Sequence, residues 1–522
     1  MAQGSLDGLK VARKPSEIER PEDRLDKADR EALSLAIGSG LAAALDGGLD
    51  GAPRVRTSLE VLGRPGSFCV ITGQQPGLLG GPLYTLHKAI QACLLARDLS
   101  QDWGVPVVPI FWNHGDDHDL AEVNHAWLKN RAQDLQKVRL AGLSSGRQPF
   151  SRIPLDRETH RLEATRALVT QTYEEHLHAE AAVDLLFPRH GETLVRTLTR
   201  ALTQLLGEHG LVVLEPDWIR PQLSRALSDL VGANPTPALI QGSGDQPAID
   251  PASAALVFRV GDTGRRPLRP GGEGFAYDGE AGSRTPAELA ALILEDLEGW
   301  SAGALLRPLV QDAVFPTCAY VGGFGELDYH AQLVVAREHA GIQTPAFVPR
   351  TSITFIDGST RQALARSETD VASILAAKGE FTRGEALDPP PVIQALHETT
   401  ERAVSELLSL KGELKALEPA LTSSLKRAIE QIRKATGKVQ DKAERVHANR
   451  SGKGERHVRR LNATLYPRGK PQERVLGATG YLAQHGLGLI DALWNELPSI
   501  STEHLVVHLP DLEEPTADAS AE

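Results

Sequence analysis

Residues 67–125 read SFCVITGQQPGLLGGPLYTLHKAIQACLLARDLSQDWGVPVVPIFWNHGDDHDLAEVNH, and this stretch decides the fold. An apolar run (SFCVIT) meets a Gly-rich turn (GQQPGLLGGP). An amphipathic segment, a second apolar run (VPVVPIFW) and a polar loop follow. Leu86, Ala89, Ile90 and Leu94 recur at helical spacing, and Pro82 is tolerated in a first helical turn. Strand, glycine turn, helix and strand make a βαβ unit of a nucleotide-type α/β sheet. Ligands of such sheets sit outside the carboxyl ends of the strands, where both the turn and the loop fall.

Working outward, residues 1–60 are polar and helix-prone, an N-terminal helical segment ahead of the first core part at 61–125. Residues 126–205 are charged with a helical period and read as a helical insertion. The core resumes over 206–235 through GLVVLEPD. Short strands and Gly/Pro turns then make 236–285 a β-rich insertion. The second core part, 286–388, carries VFPTCAYV as a strand and PAFVPRTSITFID as the run that closes the sheet. Beyond it Leu407, Leu410, Leu414, Leu417, Leu421, Leu425, Ile429 and Ile432, then Val439 and Val446, recur with charges between them, mostly at spacings of three and four, a coiled-coil helical hairpin over 389–460. Residues 461–510 read as a helical region and 511–522 as a disordered acidic tail.

A net charge of −12 excludes a general nucleic-acid binder. No apolar run approaches the roughly 20 residues that span a bilayer, and the first residues lack the apolar core of a secretory signal. Cys69, Cys93 and Cys318 each lie in an apolar segment, as free thiols in a reducing cytosol do. A cytoplasmic protein is expected.

The glycine turn, with Thr72, Gly73, Gly80 and Gly81, offers backbone N–H groups at a helix start and so a place for an anion such as a phosphate. It matches neither common phosphate-loop pattern, and a turn without ligand explains it as well. Gln74, Gln75 and Tyr84 flank it. His87 and Lys88 lie one turn inside the helix, where a cation meets an anionic ligand or simply faces solvent. Trp112 leads into the loop 113–125, which packs three histidines, four acidic residues and two asparagines into thirteen positions. Crowded carboxylates raise one another's pKa, which suits acid/base work, so Asp116, Asp117, His118 and Asp119 are the catalytic candidates. Asn113, Asn124 and His125 are substrate-binding candidates. The spacing fails the H-x-H-x-D-H metal pattern, because Asp116 stands where a histidine is required, and no metal is assigned. A second strand–glycine turn–helix run, YVGGFGELDYHAQ, places Gly323, Glu326, Tyr329 and Gln332 for a shared face toward the cleft. Arg307, Gln311 and Arg350 flank these strands, and an arginine fork suits a carboxylate.

TGQQPGLLGGPLYTLHK, VPVVPIFWNHGDDHDLAEVNH, RPLVQDAVFPTCAYVGGFGELDYHAQL and KPQER, in this order, resemble the bacillithiol-biosynthesis cysteine-adding enzymes, the BshC cysteine-ligase family. The resemblance covers residues 68–497. It departs at Asp116, where the family usually has Glu, and at Phe324, where it usually has Pro. It implies an α/β fold with a Rossmann-like parallel-sheet core, two connective insertions and a C-terminal α-helical coiled coil that forms a homodimer. It also implies addition of L-cysteine to glucosaminyl-malate, an amide-forming last step of bacillithiol synthesis. Forming an amide from a free carboxylate in water is uphill, so ATP is expected as cosubstrate, with no tightly bound cofactor. A loop carboxylate would take the amine's proton, with His118 or His125 as the alternative base. The competing readings are a metal-dependent amide or sugar hydrolase and a non-catalytic assembly protein.

Overall fold

The computed structural model describes residues 8–510 except 133, 144–145, 245–246, 273, 278–281, 382–390, 419–420 and 451–452. The segment read as an acidic tail lies outside the described residues. In chain order, β1 (Phe68–Gln74) and β2 (Val107–Asn113) precede β3 (His125–Lys129), β4 (Leu135–Arg139) and β5 (Val212–Leu214). Then come β6 (Val257–Gly261), β7 (Gly264–Gly271), β8 (Gly274–Tyr277) and β9 (Trp300–Ala302). The series ends with β10 (Thr317–Gly322), β11 (Ala346–Pro349), β12 (Ile353–Ile356) and β13 (Leu505–His508).

The core is a five-stranded parallel sheet in the order β11-β10-β1-β2-β5. β1 and β2 are apolar almost throughout because helices cover both faces, as parallel sheets require. Period-2 alternation sorts their side chains. Cys69, Ile71, Ile110 and Trp112 pack into one apolar cluster, while Phe68, Val70 and Phe111 face the helix Tyr84–Trp103. That helix stops at Gly104, whose left-handed φ of +64° closes its last turn. All three cysteines are free and buried. No helix among the described residues is long and apolar enough to cross a membrane.

Four stretches differ from the sequence reading. The insertion after β2 opens with an antiparallel β3–β4 hairpin before its helices, because HAWLK and LQKVR pair across a short turn. PAFVPRTSITFID is two strands, and only β11 joins the core sheet. Past Pro349 and Arg350 the chain turns away, and β12 pairs in parallel with β13, so the region read as helical over 461–510 also contains a strand. The residues after Ile356, read as core, belong to a second unit, Asp357–Pro471. In that unit Val404, Leu425 and Ile429 are buried with Leu407, Leu414 and Ile432 against them, so part of the expected seam forms, whereas Leu410 and Leu417 of the same series are exposed. The chain returns to the first unit at Gln472, whose side-chain amide bonds both the N–H and the carbonyl of Phe355.

Candidate active site

Strand order reverses between β1 and β10, which makes the crevice at their carboxyl ends the ligand position expected of such a sheet. Gly73 is required there: a Cβ would lie 2.6 Å from the Trp112 carbonyl oxygen and 2.6 Å from His114 Nε2. Lys88 crosses the crevice. Its ammonium donates to the Gly73 carbonyl at 3.0 Å, to Gln74 Oε1 at 3.2 Å and to Glu326 Oε2 at 2.5 Å, which uses all three of its donors. Glu326, on the helix Phe324–Gln332, also accepts the Gly323 N–H at 2.7 Å and the Tyr320 hydroxyl at 2.9 Å. Burial pushes the Glu326 carboxyl up, but Lys88, Gly323 and Tyr320 outweigh it and hold it below the usual carboxylate range. Lys88 is therefore a fixed strut across the crevice, not a cation waiting for a ligand.

Next to the crevice, a cavity of about 290 Å³ opens between the end of β2 and the β-rich insertion. Trp112, His114, Asp116, Asp117 and His118 form one wall. The insertion supplies the other with Phe258 and Arg265, Trp300 joins them from β9, which pairs with β6, and Arg220, Arg307 and Tyr329 complete it. Both Asp116 oxygens are taken by Arg220, which also grips Asp217. Among the described residues no guanidinium is hydrogen-bonded to Asp117. Its Oδ2 accepts the Gln75 amide at 2.5 Å and its Oδ1 the His118 backbone N–H at 2.6 Å. His118 Nδ1 lies 3.2 Å from Arg265 Nη1, and the guanidinium can only donate, so the imidazole proton is on Nε2. Burial and then the Arg265 charge hold His118 below its ordinary pKa, so it is neutral near pH 7 and offers the cavity a donor. His114 Nε2 is buried without a partner, and burial, Arg307 and Lys88 push its pKa far down.

The structure thus brings Asp116, Asp117, His118, Trp112 and Tyr329 to one cavity, and Gly73, Gln74, Lys88, Gly323 and Glu326 to the adjoining crevice. Gln75 touches both through Asp117. Tyr84 bonds the Gln74 amide at 3.4 Å, and the Arg350 guanidinium lies over its ring. Asp119 is exposed, and its side chain caps the helix Leu120–Val123 by accepting the Ala121 N–H.

Other candidates are spent on structure. Asn113 donates to the Val195 carbonyl and Thr199 hydroxyl, and Asn124 is buried beside His125 on the β3 hairpin. Gln332 ties Ser243 and Ile249 to its helix. His87 is buried against Glu473. The glycine turn is not an open phosphate cradle. Thr72 bonds the Val321 carbonyl, Leu78 and Leu79 are buried, the Leu83 N–H goes to the Leu476 carbonyl, and Gly80 faces Leu186. Among the described residues no group of three or more His, Cys, Asp or Glu side chains gathers as metal ligands would.

Sequence reasoning missed Arg220, Arg265, Phe258 and Trp300. The one available signal was period 2 along β7, which turns Arg265 inward and leaves Arg266 exposed over Tyr277.

The buried histidines set a pH dependence. Burial holds His87, His114 and His330 below the ordinary value of 6.5, so the unfolded chain binds more protons than the fold in the window beneath it. Stability therefore falls as pH drops below about 6.5. Thermal unfolding is expected to show a lower midpoint at pH 5.5 than at pH 7.5. An unchanged midpoint would mean these rings are already charged in the fold.

Comparison with known proteins agrees with this architecture. The family model for the bacillithiol biosynthesis BshC N-terminal Rossmann-like domain matches residues 16–351, and that for the BshC C-terminal coiled-coil domain matches residues 353–509. Among relatives named "Putative cysteine ligase BshC", that of Koribacter versatilis is 30% identical over 500 residues, covering 92% of this chain and 90% of its own. The Solibacter usitatus relative is 29% identical, covering 86% of each chain, and the Bacillus mycoides relative 27%, covering 87% of this chain and 86% of its own. With the parallel sheet, the crevice and the helical unit all in place, the chain belongs to the BshC family of bacillithiol biosynthesis.

Proposed function

We propose that this protein is a ligase that joins the carboxyl group of L-cysteine to the amine of glucosaminyl-malate, with ATP as the activating cosubstrate. The observation that carries the reading is the division of charge in the cavity. Asp116 is neutralised by Arg220, whereas Asp117 carries no guanidinium among the described residues, and Arg265 and Arg307 face the same space. A substrate with an amine at one end and carboxylates at the other matches a free carboxylate opposite two guanidiniums. The cavity approaches the lower end of small-molecule sites, roughly 300–1,000 Å³.

In this reading the malate carboxylates rest on Arg265 and Arg307, and the sugar amine points at Asp117. Cysteine and the nucleotide occupy the crevice over Gly73 and Gly323. ATP converts the cysteine carboxylate into an acyl phosphate with release of ADP, or into an adenylate with release of pyrophosphate. The neutral amine attacks its carbonyl carbon, the C–N bond forms, and phosphate or AMP leaves with the electron pair of the broken C–O bond. Asp117 accepts the proton that the nitrogen releases. Of the other base candidates, Asp116 is held by Arg220, Asp119 caps a helix, His118 presents a donor, and His125 lies outside the cavity wall.

A ligand that binds only the folded protein raises its unfolding temperature by mass action. Saturating glucosaminyl-malate is expected to raise the midpoint, and glucosamine without the malate to raise it less. No shift with glucosaminyl-malate would overturn the assignment of the cavity.

A further inference from the structure

Of the three guanidiniums in the cavity wall, Arg265 and Arg307 are gripped by no carboxylate among the described residues. Arg220 is clamped by Asp116 and Asp217, and Arg265 is spread over His118, Ser301 and the Ala302 carbonyl. Arg307 Nη1 instead donates to Gln311 Oε1 at 3.1 Å, one turn along the helix Arg307–Val314, and the guanidinium also bonds the Tyr329 hydroxyl. Gln311, wholly buried, turns its amide the other way and donates to Asp312 Oδ1 at 3.1 Å. The second oxygen of Asp312 takes both Nε and Nη2 of Arg337 at 3.0 and 2.8 Å, in a pair whose side chains are 1% and 0% exposed.

We propose that Arg337 and Asp312 act through Gln311 as a positioning relay that fixes Arg307 on an anionic oxygen of the acceptor substrate. The relay reads in one direction for a chemical reason. A glutamine oxygen accepts without charge, so it orients the guanidinium and leaves its positive charge for a ligand, which a carboxylate in its place would cancel. The charge needed to hold the glutamine is kept one residue further back, where Arg337 balances Asp312 away from the cavity. An ion pair this deeply buried is costly to desolvate, and a pair kept only for packing is often replaced by apolar residues without loss. Its link to a cavity-facing cation through a single oriented amide gives it a use. The relay rests on the ligase reading above for the identity of the ligand, but the orientation of Arg307 does not.

The test is a double-mutant cycle on the full chain. Gln311→Met keeps the side-chain length and removes both hydrogen bonds, and Arg307→Met removes the cation. Gln311→Met is expected to raise the KM for glucosaminyl-malate about tenfold, the size of one charge-assisted hydrogen bond. It should leave the KM for cysteine and kcat within about twofold. In the Arg307→Met background the same change should have no further effect on that KM. A structural role alone would lower kcat and stability and add to Arg307→Met, and that result overturns the relay.

Selective ¹⁵N-arginine NMR, with Arg307 assigned from Arg307→Lys, gives a readout free of turnover. The Arg307 guanidinium protons should be resolved in the parent protein and merge through rotation in Gln311→Met. Resolved signals in both would refute the relay. If the parent makes no product while the NMR difference stands, the ligase reading fails and the relay does not.

Discussion

Glu473→Ala is expected to destabilise the first unit by about 3–5 kcal/mol, the usual loss when one partner of a buried ion pair is removed and the other charge is left behind. Glu473 receives Arg350 through two bonds, Nη1 to Oε2 at 2.7 Å and Nη2 to Oε1 at 2.6 Å. It also accepts the Ile353 N–H at 2.8 Å and the Ser352 hydroxyl at 3.1 Å, and His87 Nδ1 lies 3.3 Å away. Arg350 and Glu473 are both almost fully buried. Burial raises the Glu473 carboxyl, and the bonds from His87 and Arg350 overcome it and hold the group far below the usual range. With a folded pKa below the unfolded one, this carboxylate stabilises the fold above the unfolded value near 4.5, and the contribution is lost as pH falls beneath it. Truncation to alanine strands Arg350 and opens the end of β11, where the guanidinium also covers Tyr84 at the crevice. Denaturant unfolding measures the loss, with Glu473→Gln expected to lie between parent and alanine variant because it keeps hydrogen bonding without the charge. A loss below about 1 kcal/mol for Glu473→Ala would show that Arg350 finds other partners and that the KPQER segment does not hold this end of the sheet.

Asp117→Asn is expected to lower kcat by at least about 100-fold with the fold intact, the range that a positioned acid or base supplies. Asparagine keeps the shape: its oxygen can still accept the His118 N–H, and its amide can donate to Gln75 Oε1 once the Gln75 amide turns over, so both loop contacts have a substitute. What it cannot do is take a proton. Asp116→Asn is expected to act differently, by leaving Arg220 with less charge to answer it and weakening the fold. A kcat for Asp117→Asn within about threefold of the parent would remove Asp117 from the chemistry.

How far the sequence revealed this site depended on the range of each signal. The βαβ unit was legible because strand and helix periods are local, and β1, the helix Tyr84–Trp103 and β2 follow the reading of residues 67–125. The acidic loop was legible as a density of charge, but composition cannot say which carboxylate is neutralised. That depends on Arg220, which is 104 residues away in sequence from Asp116. The insertion at 236–285 read as an appendage because nothing in its own composition shows that β6 and β7 supply the far wall of the cavity. The glycine turn misled for a related reason. Its residues fit an exposed anion cradle, yet Leu476 and Gly477, far along the chain, cover it. The KPQER motif, legible only as part of a resemblance, finds its physical reason in Gln472 and Glu473, which fasten the chain's return to β12 and to Arg350.

The direct test of the ligase assignment is one incubation of purified protein with L-cysteine, glucosaminyl-malate and ATP, followed by mass spectrometry. The account predicts an amide product that carries both the cysteine and the glucosaminyl-malate masses less one water, formed together with AMP or ADP and absent with Asp117→Asn. Release of free amine or malate from glucosaminyl-malate without any cysteine adduct would contradict it and mark a hydrolase instead.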